Sequence, residues 1–337
     1  MTKDTLLRWW CTYFRHTRKN SKITYYTKAY LRTLVPHWWC EMKRKRMMKW
    51  FDSLQASEQS HIIERVDYYC RPALPATIPD DAPTIGELSY SNRRNFNGSR
   101  MNSVYFFDAH EYVRCFPQHL RWLFFGGDCD YTFPQPVISK ARSIHPASEP
   151  DNNTLLNMDK VRHFTWIYDP YHWKQKQCAI LFRGDARGKV ERQRFIEMWK
   201  EHPWCDLVST GHMSIFDHLR YRYIMCLEGY DVASNLKWVM SSNSVAVMPR
   251  PTCETWFMEG RLIPNYHYIE IADDYHDLID RITYYEEHPD EAKAIVEHAH
   301  EWVKQFQDKK REDLISLMVL TKYFRLTGQE TGNSLHD

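Results

Sequence analysis

Two short stretches of the chain carry residue types that could do chemistry. The first, Ile180–Phe195, reads ILFRGDARGKVERQRF. An apolar run stops at Arg183–Gly184, a basic loop follows, and a helix-like pattern begins near Lys189. Glycines let the backbone approach a ligand closely, and a helix start offers free N–H groups to an anion. Arg183, Arg187 and Lys189 add fixed positive charge, so a diphosphate would suit this loop without a metal. The spacing is not that of a Walker A loop: Gly184 and Gly188 are too close, and Val190 stands where a magnesium-binding hydroxyl belongs. The competing reading is a surface turn with solvated arginines. The second stretch, LFFGGDCDY, places Asp128 and Asp130 two residues apart. On an extended segment both would face one side and could chelate a cation; a solvated turn is the alternative.

The elements around these stretches predict an α/β arrangement. CAILFRG, CDLVSTG, SVAVMP and YHYIEIA read as strands, YRYIMCLEG as a strand or buried segment, and KVERQRFIEMWKEH and DVASNLKWVMSSN as helices. Such alternation predicts a parallel sheet, whose ligands bind beyond the carboxyl ends of the strands. FRGDARG, LEGYD and MPRPT would sit there. The chain is then expected to be helical from about Tyr275 to Phe306. Residues 1–70 read as mostly helical, with breaks at Pro36 and near QASEQS, and 71–103 as irregular. SVYFF and RWLFFGG read as strand-like runs, 141–154 is loop-rich, and a domain boundary is expected near 150–165.

Composition narrows the class. The 337 residues are 43% hydrophobic and 26% charged, the balance of a globular protein long enough for two domains. No apolar run reaches the eighteen or so residues of a membrane span, and no signal peptide is expected. The nine cysteines lack metal-ligand spacing and read as free thiols, most of them buried. Residues 1–50 hold thirteen Lys/Arg against Asp4 and Glu41, a net +11 that leaves the rest of the chain at −9. Trp9, Trp10, Trp38, Trp39 and Trp50 are interleaved with that charge. Such a surface attracts anionic headgroups, phosphorylated glycans or nucleic acid, unless the tryptophans turn into the core. Among lone candidates, His163, His212 and His267 read as structural more readily than as acids or bases, Glu228, Glu254 and Glu259 read as surface or capping groups at least as readily as donor contacts, and Asp273–Asp274 as a helix start.

LFRGDARGKVERQRF resembles the basic loop of glycosyltransferase family 90. The likeness continues through LRYRYIMCLEGYDVASNLKWVMSSNSVAVMP and ETWFMEGRLIPNYHYIEIADDYHDLIDRI, so that it spans about 178–306. RVDYYC, YFFDAHEYVR, FFGGDCDY and DKVRHF match more weakly, and DVASNLKW and SSNS are most similar to the bacterial lipopolysaccharide branch. The resemblance implies a GT-B-like α/β fold: two Rossmann-like domains facing a cleft, with a helical N-terminal region and C-terminal helices. The corresponding divisions are 1–160 on the acceptor side, 161–310 for the nucleotide sugar, and 311–337 as helix and tail.

The implied reaction is inverting, metal-independent transfer from a UDP-sugar to a lipopolysaccharide core or related glycan. No cofactor or metal is expected. By position, Arg183, Gly184, Arg187 and Lys189 would serve the diphosphate, and Gly229, Ala233, Asn235, Lys237 and Ser244 the nucleotide side. Eukaryotic members carry an arginine near Asn235, for which Lys237 is the substitute here. Asp128, with Asp130 as the alternative, would be the base that takes the acceptor proton. The implied location is cytoplasmic and peripheral, on the inner face of a bacterial inner membrane through the basic, Trp-rich N-terminal region. The rival readings are a metal-dependent transferase using Asp128 and Asp130, and a non-catalytic basic protein binding membrane or nucleic acid. Without a recognisable nucleic-acid module, no nucleic-acid partner is expected.

Overall fold

The computed structural model describes residues 5–7, 10, 18–146, 148–209 and 213–329. Trp9 and His212 lie outside the described residues, as do residues 330–337. The described chain forms two compact units. A helical unit lies within Ser21–Lys160, Cys253–Phe257 and the segment from Phe306, and a sheet unit within Met1–Asn20, Val161–Thr252 and Met258–Gln305. The fold is mixed α/β.

The helical unit starts with α1 (Lys22–Thr33), α2 (His37–Asp52) and α3 (Ala56–Tyr69). Ser21 caps α1 through its hydroxyl, and Pro36 starts α2. The SVYFF run is not a strand: it opens helix α4, Ser103–Val113. Val104 through Ala109, Tyr112 and Val113 are all buried, so this helix is apolar on most sides and shows no 3.6-residue period. Strands here are brief. β1 (Phe124–Phe125), β2 (Val137–Ser139) and β4 (Asn153–Leu155) form a parallel sheet in the order β1-β2-β4. The stretch 141–154 is thus less loop-like than its composition predicts, since β3 (Ala141–Ser143) also lies in it.

The sheet unit follows the expected alternation more closely. Its strands are β5 (Gln177–Arg183), β6 (Cys205–Val208), β7 (Tyr221–Met225) and β8 (Val245–Met248), with α5 (Val190–Trp199) between β5 and β6. DVASNLKWVMSSN yields only one helical turn, α6 (Leu236–Val239), with Asn235 at its N-cap. β9 (Cys253–Thr255) returns to the helical unit and pairs antiparallel with β3. β10 (Ile269–Glu270) completes an all-parallel sheet in the order β10-β8-β7-β5-β6. Ile180, Phe182, Tyr223, Met225, Val245 and Val247 are buried on one face and Leu181, Ile224 and Ala246 on the other, as a sheet covered on both faces requires. The expected long helix is two, α7 (Leu278–Glu287) and α8 (Pro289–Lys304), because Pro289 cannot continue α7.

Helix α9 (Lys309–Leu326) belongs to the helical unit and supplies much of its core. Six cysteines, Cys40, Cys70, Cys115, Cys129, Cys226 and Cys253, are buried free thiols as expected, while Cys178 is exposed. Trp10, Trp38 and Trp39 are 41, 56 and 52% exposed, so they do not turn into the core. No described helix is long and apolar enough to cross a membrane.

Candidate active site

The five-stranded sheet reverses its order between β5 and β7, and this switch point is where open parallel sheets bind ligands. The loop after β5 ends with Lys189 as the N-cap of α5 and no side chain capping the helix start. Its N–H groups are therefore free of a side-chain partner at a point suited to an anion. Gly188 has φ +68°, a left-handed turn that only glycine adopts without strain. Arg192 then ties two loops together. Its guanidinium donates to the carbonyls of Asp185 (3.0 Å), Leu227 (2.7 Å) and Glu228 (2.9 Å). The Glu228 carboxylate accepts from Thr252 N (3.0 Å) and Oγ1 (2.6 Å), joining the loops after β7 and β8.

These loops enclose a pocket of about 430 Å³, the size of a small-molecule site. Gly188–Glu191, Cys226–Tyr230, Val232, Ala233, Leu236, Met248–Thr252, Glu259, Asp273 and Tyr275 line it. Leu227, Val232, Ala233, Leu236 and Met248 give it an apolar wall; Lys189 and Arg250 give it cations. Lys189 Nζ lies 4.5 Å from the centre of the Tyr230 ring, and Arg250 is 72% exposed beside Glu270 at 3.2 Å. Tyr275 in the wall, and Met258 just before Glu259, hold left-handed backbone without being glycine. Such strain persists only where surrounding structure imposes it, and it clusters at functional sites.

Of the residues singled out in the sequence, Gly188, Lys189, Glu228, Gly229, Ala233, Glu259 and Asp273 line this pocket. Arg183 does not: its guanidinium turns to β6, donating to Asp206 O (2.7 Å) and Oδ1 (2.6 Å). Arg187 is 81% exposed and forked onto Asp185 at 2.9 and 3.2 Å, an interaction that holds the Asp185 carboxyl down to about 2. Gly184 is kept small by Phe182, whose Cζ would lie 2.9 Å from an added Cβ. Asn235 donates to Met225 O (2.9 Å) and anchors α6. Lys237 is fully buried and paired at 2.5 Å with Glu259, so its charge is spent beneath the pocket. Ser244 precedes β8 at the end away from the pocket, where Lys176 Nζ donates to it (2.9 Å). Glu254 is in β9 of the helical unit, buried against Arg142 at 2.8 Å. Asp274 pairs with His276 at 2.5 Å, while Asp273 faces the pocket.

Asp128 belongs to the helical unit. Gly126 lets its loop pass over α4, because a Cβ there would lie 2.6 Å from Tyr105 Cβ. Tyr105 OH then donates to Asp128 Oδ1 at 3.1 Å, and the buried Lys140 Nζ to the same atom at 2.7 Å. The Asp128 side chain remains 39% exposed. Asp130 is exposed too, with Cys129 buried between them, and the stretch is not a strand.

Comparison with known proteins decides the family. Residues 167–330 match the model for glycosyl transferase family 90, a span that contains the whole pocket lining. O-glucosyltransferase LpsA of Dichelobacter nodosus is 35% identical over 92% of this chain and 97% of its own length. The chain belongs to glycosyl transferase family 90. Its activity is that of a glycosyltransferase. Protein O-glucosyltransferase 3 of Homo sapiens is 26% identical over 56% of this chain and 38% of its own length, and the protein of that name from Rattus norvegicus matches to the same extent. Two arginines, Arg250 in the lining and Arg192 behind its loops, escaped the sequence reading. Arg250 lay within MPRPT, already placed at a strand end, and the strand register was the signal for it. Arg192 carried no such signal, since its task is to bind carbonyls from two distant loops.

Proposed function

We propose that this chain transfers a sugar from a UDP-sugar, with inversion and without a metal, and that the donor occupies the pocket at the switch point. The observation that carries this reading is the side-chain-uncapped start of α5 opening on a pocket with Lys189 and Arg250 at its rim. The diphosphate sits against that helix start and the two cations, which stabilise the charge of the departing UDP. The base lies along Leu227, Val232 and Ala233. The fold is GT-B-like in this reading, and Asp128, in the helical unit, serves the acceptor. The acceptor hydroxyl oxygen attacks the anomeric carbon, its proton passes to the Asp128 carboxylate, and the bond from that carbon to the diphosphate oxygen breaks. The names of the relatives favour glucose as the sugar. The acceptor is a lipopolysaccharide core or a related glycan, met at the cytoplasmic face of the membrane.

Asp128→Asn tests the assignment. We expect glucose transfer from UDP-glucose to fall about 10²–10⁴-fold, the usual worth of a positioned base, with UDP affinity unchanged. Full activity in the variant removes Asp128 from the role and directs attention to Asp130. Loss of wild-type activity on adding EDTA would restore the metal reading of the aspartate pair.

A further inference from the structure

The helical unit carries a surface that the donor pocket does not use. Helices α1 and α2 meet at Pro36, and around that corner large apolar side chains face solvent. Leu34 is 78% exposed, Leu31 59%, Trp38 56%, Trp39 52% and Met42 39%. The corner is a fixed feature. The Arg114 guanidinium donates to the carbonyls of Arg32 and Val35, and His37 Nε2 bonds Phe116 O at 3.0 Å. The Trp38 and Trp39 rings lie together, 5.7 Å between centres. Along α2 the exposed positions 38, 39, 42, 45, 46, 49 and 52 follow helical spacing and read Trp, Trp, Met, Lys, Arg, Lys, Asp, so that one carboxylate ends a row of three cations. The opposite face buries Cys40, Arg44, Met47 and Met48 in the unit's core. Glu41 and Asp52 are the carboxylates of these two helices, and Glu41 lies beside His37.

We propose that this corner docks on the surface of an anionic lipid bilayer. Leu34, Trp38, Trp39 and Met42 enter at headgroup depth, while Lys45, Arg46 and Lys49 lie over lipid phosphates. An apolar edge continued by a cationic row on one helix face is the pattern of an interfacial helix. Aromatic rings alone would also suit the bases of a single-stranded RNA, but the aliphatic Leu31 and Leu34 offer nothing to stack on. Phosphate-bearing lipid supplies both an apolar layer and negative charge. The proposal rests on the membrane-peripheral part of the function proposed above and names the surface responsible.

The test uses the full chain and sedimentation with phosphatidylcholine vesicles, with and without phosphatidylglycerol. We expect binding to the anionic vesicles alone. Trp38→Ala with Trp39→Ala should weaken it by about tenfold or more through lost interfacial burial. Lys45→Gln, Arg46→Gln and Lys49→Gln together should weaken it on the order of a hundredfold, at about fivefold per charge. Removing exposed lysines of the sheet unit, Lys200→Gln with Lys304→Gln, should change little. Turnover of UDP-glucose on a soluble acceptor should survive in the corner variants, which also shows that they are folded. Unaltered vesicle binding in those variants overturns the proposal, and so does preference for single-stranded RNA over vesicles. Active enzyme without vesicle binding sinks the docking surface alone. Vesicle binding without turnover of any nucleotide sugar keeps the surface and sinks the donor reading.

Discussion

The two units are built on different terms. In the sheet unit, β5 runs seven residues and the register follows a backbone ladder with a continuous apolar core. In the helical unit the strands are two or three residues long, too short to fix their own register. Buried charge does that work instead. Arg142, fully buried, donates to Glu254 Oε1 (2.8 Å), Asn153 O (3.3 Å) and Tyr68 O (2.9 Å), with Asp151 at 3.6 Å. Arg65 forks onto Glu312 at 2.6 and 3.0 Å from within the core. A pocket made by strand ends can thus form in one unit from apolar alternation, whereas the place of Asp128 in the other depends on a polar network. Arg142 fixes β3, and Lys140, two residues earlier, holds Asp128.

The largest effect should come from cutting that network. Arg142→Met leaves Glu254 and Asp151 buried without their cation, a loss of about 3–5 kcal/mol. Urea denaturation should show it, together with reduced transfer activity and unchanged UDP affinity. A cost below about 1 kcal/mol would mean that the short strands set their own register.

Acid should separate the units next. Burial pushes His267, in the sheet unit, from 6.5 to about 4, with the nearby His298 adding to the effect. Its Nδ1 accepts the Ile263 N–H at 2.9 Å, which requires the neutral ring. Its contribution to stability is complete above pH 6.5. It is lost as pH falls toward 4, because the unfolded chain takes the proton first, and the loss has an upper bound of roughly 3–4 kcal/mol, at about 1.4 per unit. His110 in the helical unit is likewise lowered to about 4, by burial and then by Arg114 and Arg32. Beside it in the chain, however, burial raises Asp108 to about 6, and that shift favours the folded state as pH falls from 6 toward 3.8. Acid should therefore weaken the sheet unit first. His267→Gln should flatten the dependence of Tm on pH between 6.5 and 4; a parallel curve for parent and variant would refute the assignment.

How much of this was legible follows the same division. The strands at 177–183, 221–225 and 245–248 and the helix at 190–199 stand where the alternation in the sequence put them, because a buried parallel sheet writes itself as apolar runs. Ser103–Val113 deceived the pattern, since burial on most sides erases helical periodicity. β3 and β9 carry no local signal, as their pairing rests on Arg142 and Glu254, 112 residues apart. At the pocket, glycine spacing and basic character pointed to a loop whose end, Gly188–Glu191, lines it. They could not distribute its cations: Asp185 and Asp206, which draw Arg187 and Arg183 aside, are themselves set by the fold.

Arg192 offers a smaller and more local perturbation. Arg192→Met leaves three carbonyls of the two pocket loops without their shared donor, at sites water can partly reach. We expect KM for UDP-glucose to rise about tenfold with kcat changed less, since the loops would hold the donor in fewer productive arrangements. A fall in kcat with KM constant would instead place Arg192 in the chemical step.

The smallest effect distinguishes neighbours in the opening loop. Lys189 lines the pocket at the start of α5, while Arg187, two residues earlier, is forked onto Asp185 in solvent. A half-buried cation facing a diphosphate at a helix start adds about 0.5–1 kcal/mol. Lys189→Ala should therefore weaken UDP binding about two- to fivefold, and salt should shrink the difference. Arg187→Ala should leave affinity unchanged, because its charge is already neutralised by Asp185 and freeing that carboxylate adds repulsion only at a distance. Calorimetric titration with UDP at low and high salt compares the two directly. Equal losses in both variants would mean that the loop binds by its overall charge, and that the direction of each side chain in the folded pocket matters less than its sequence.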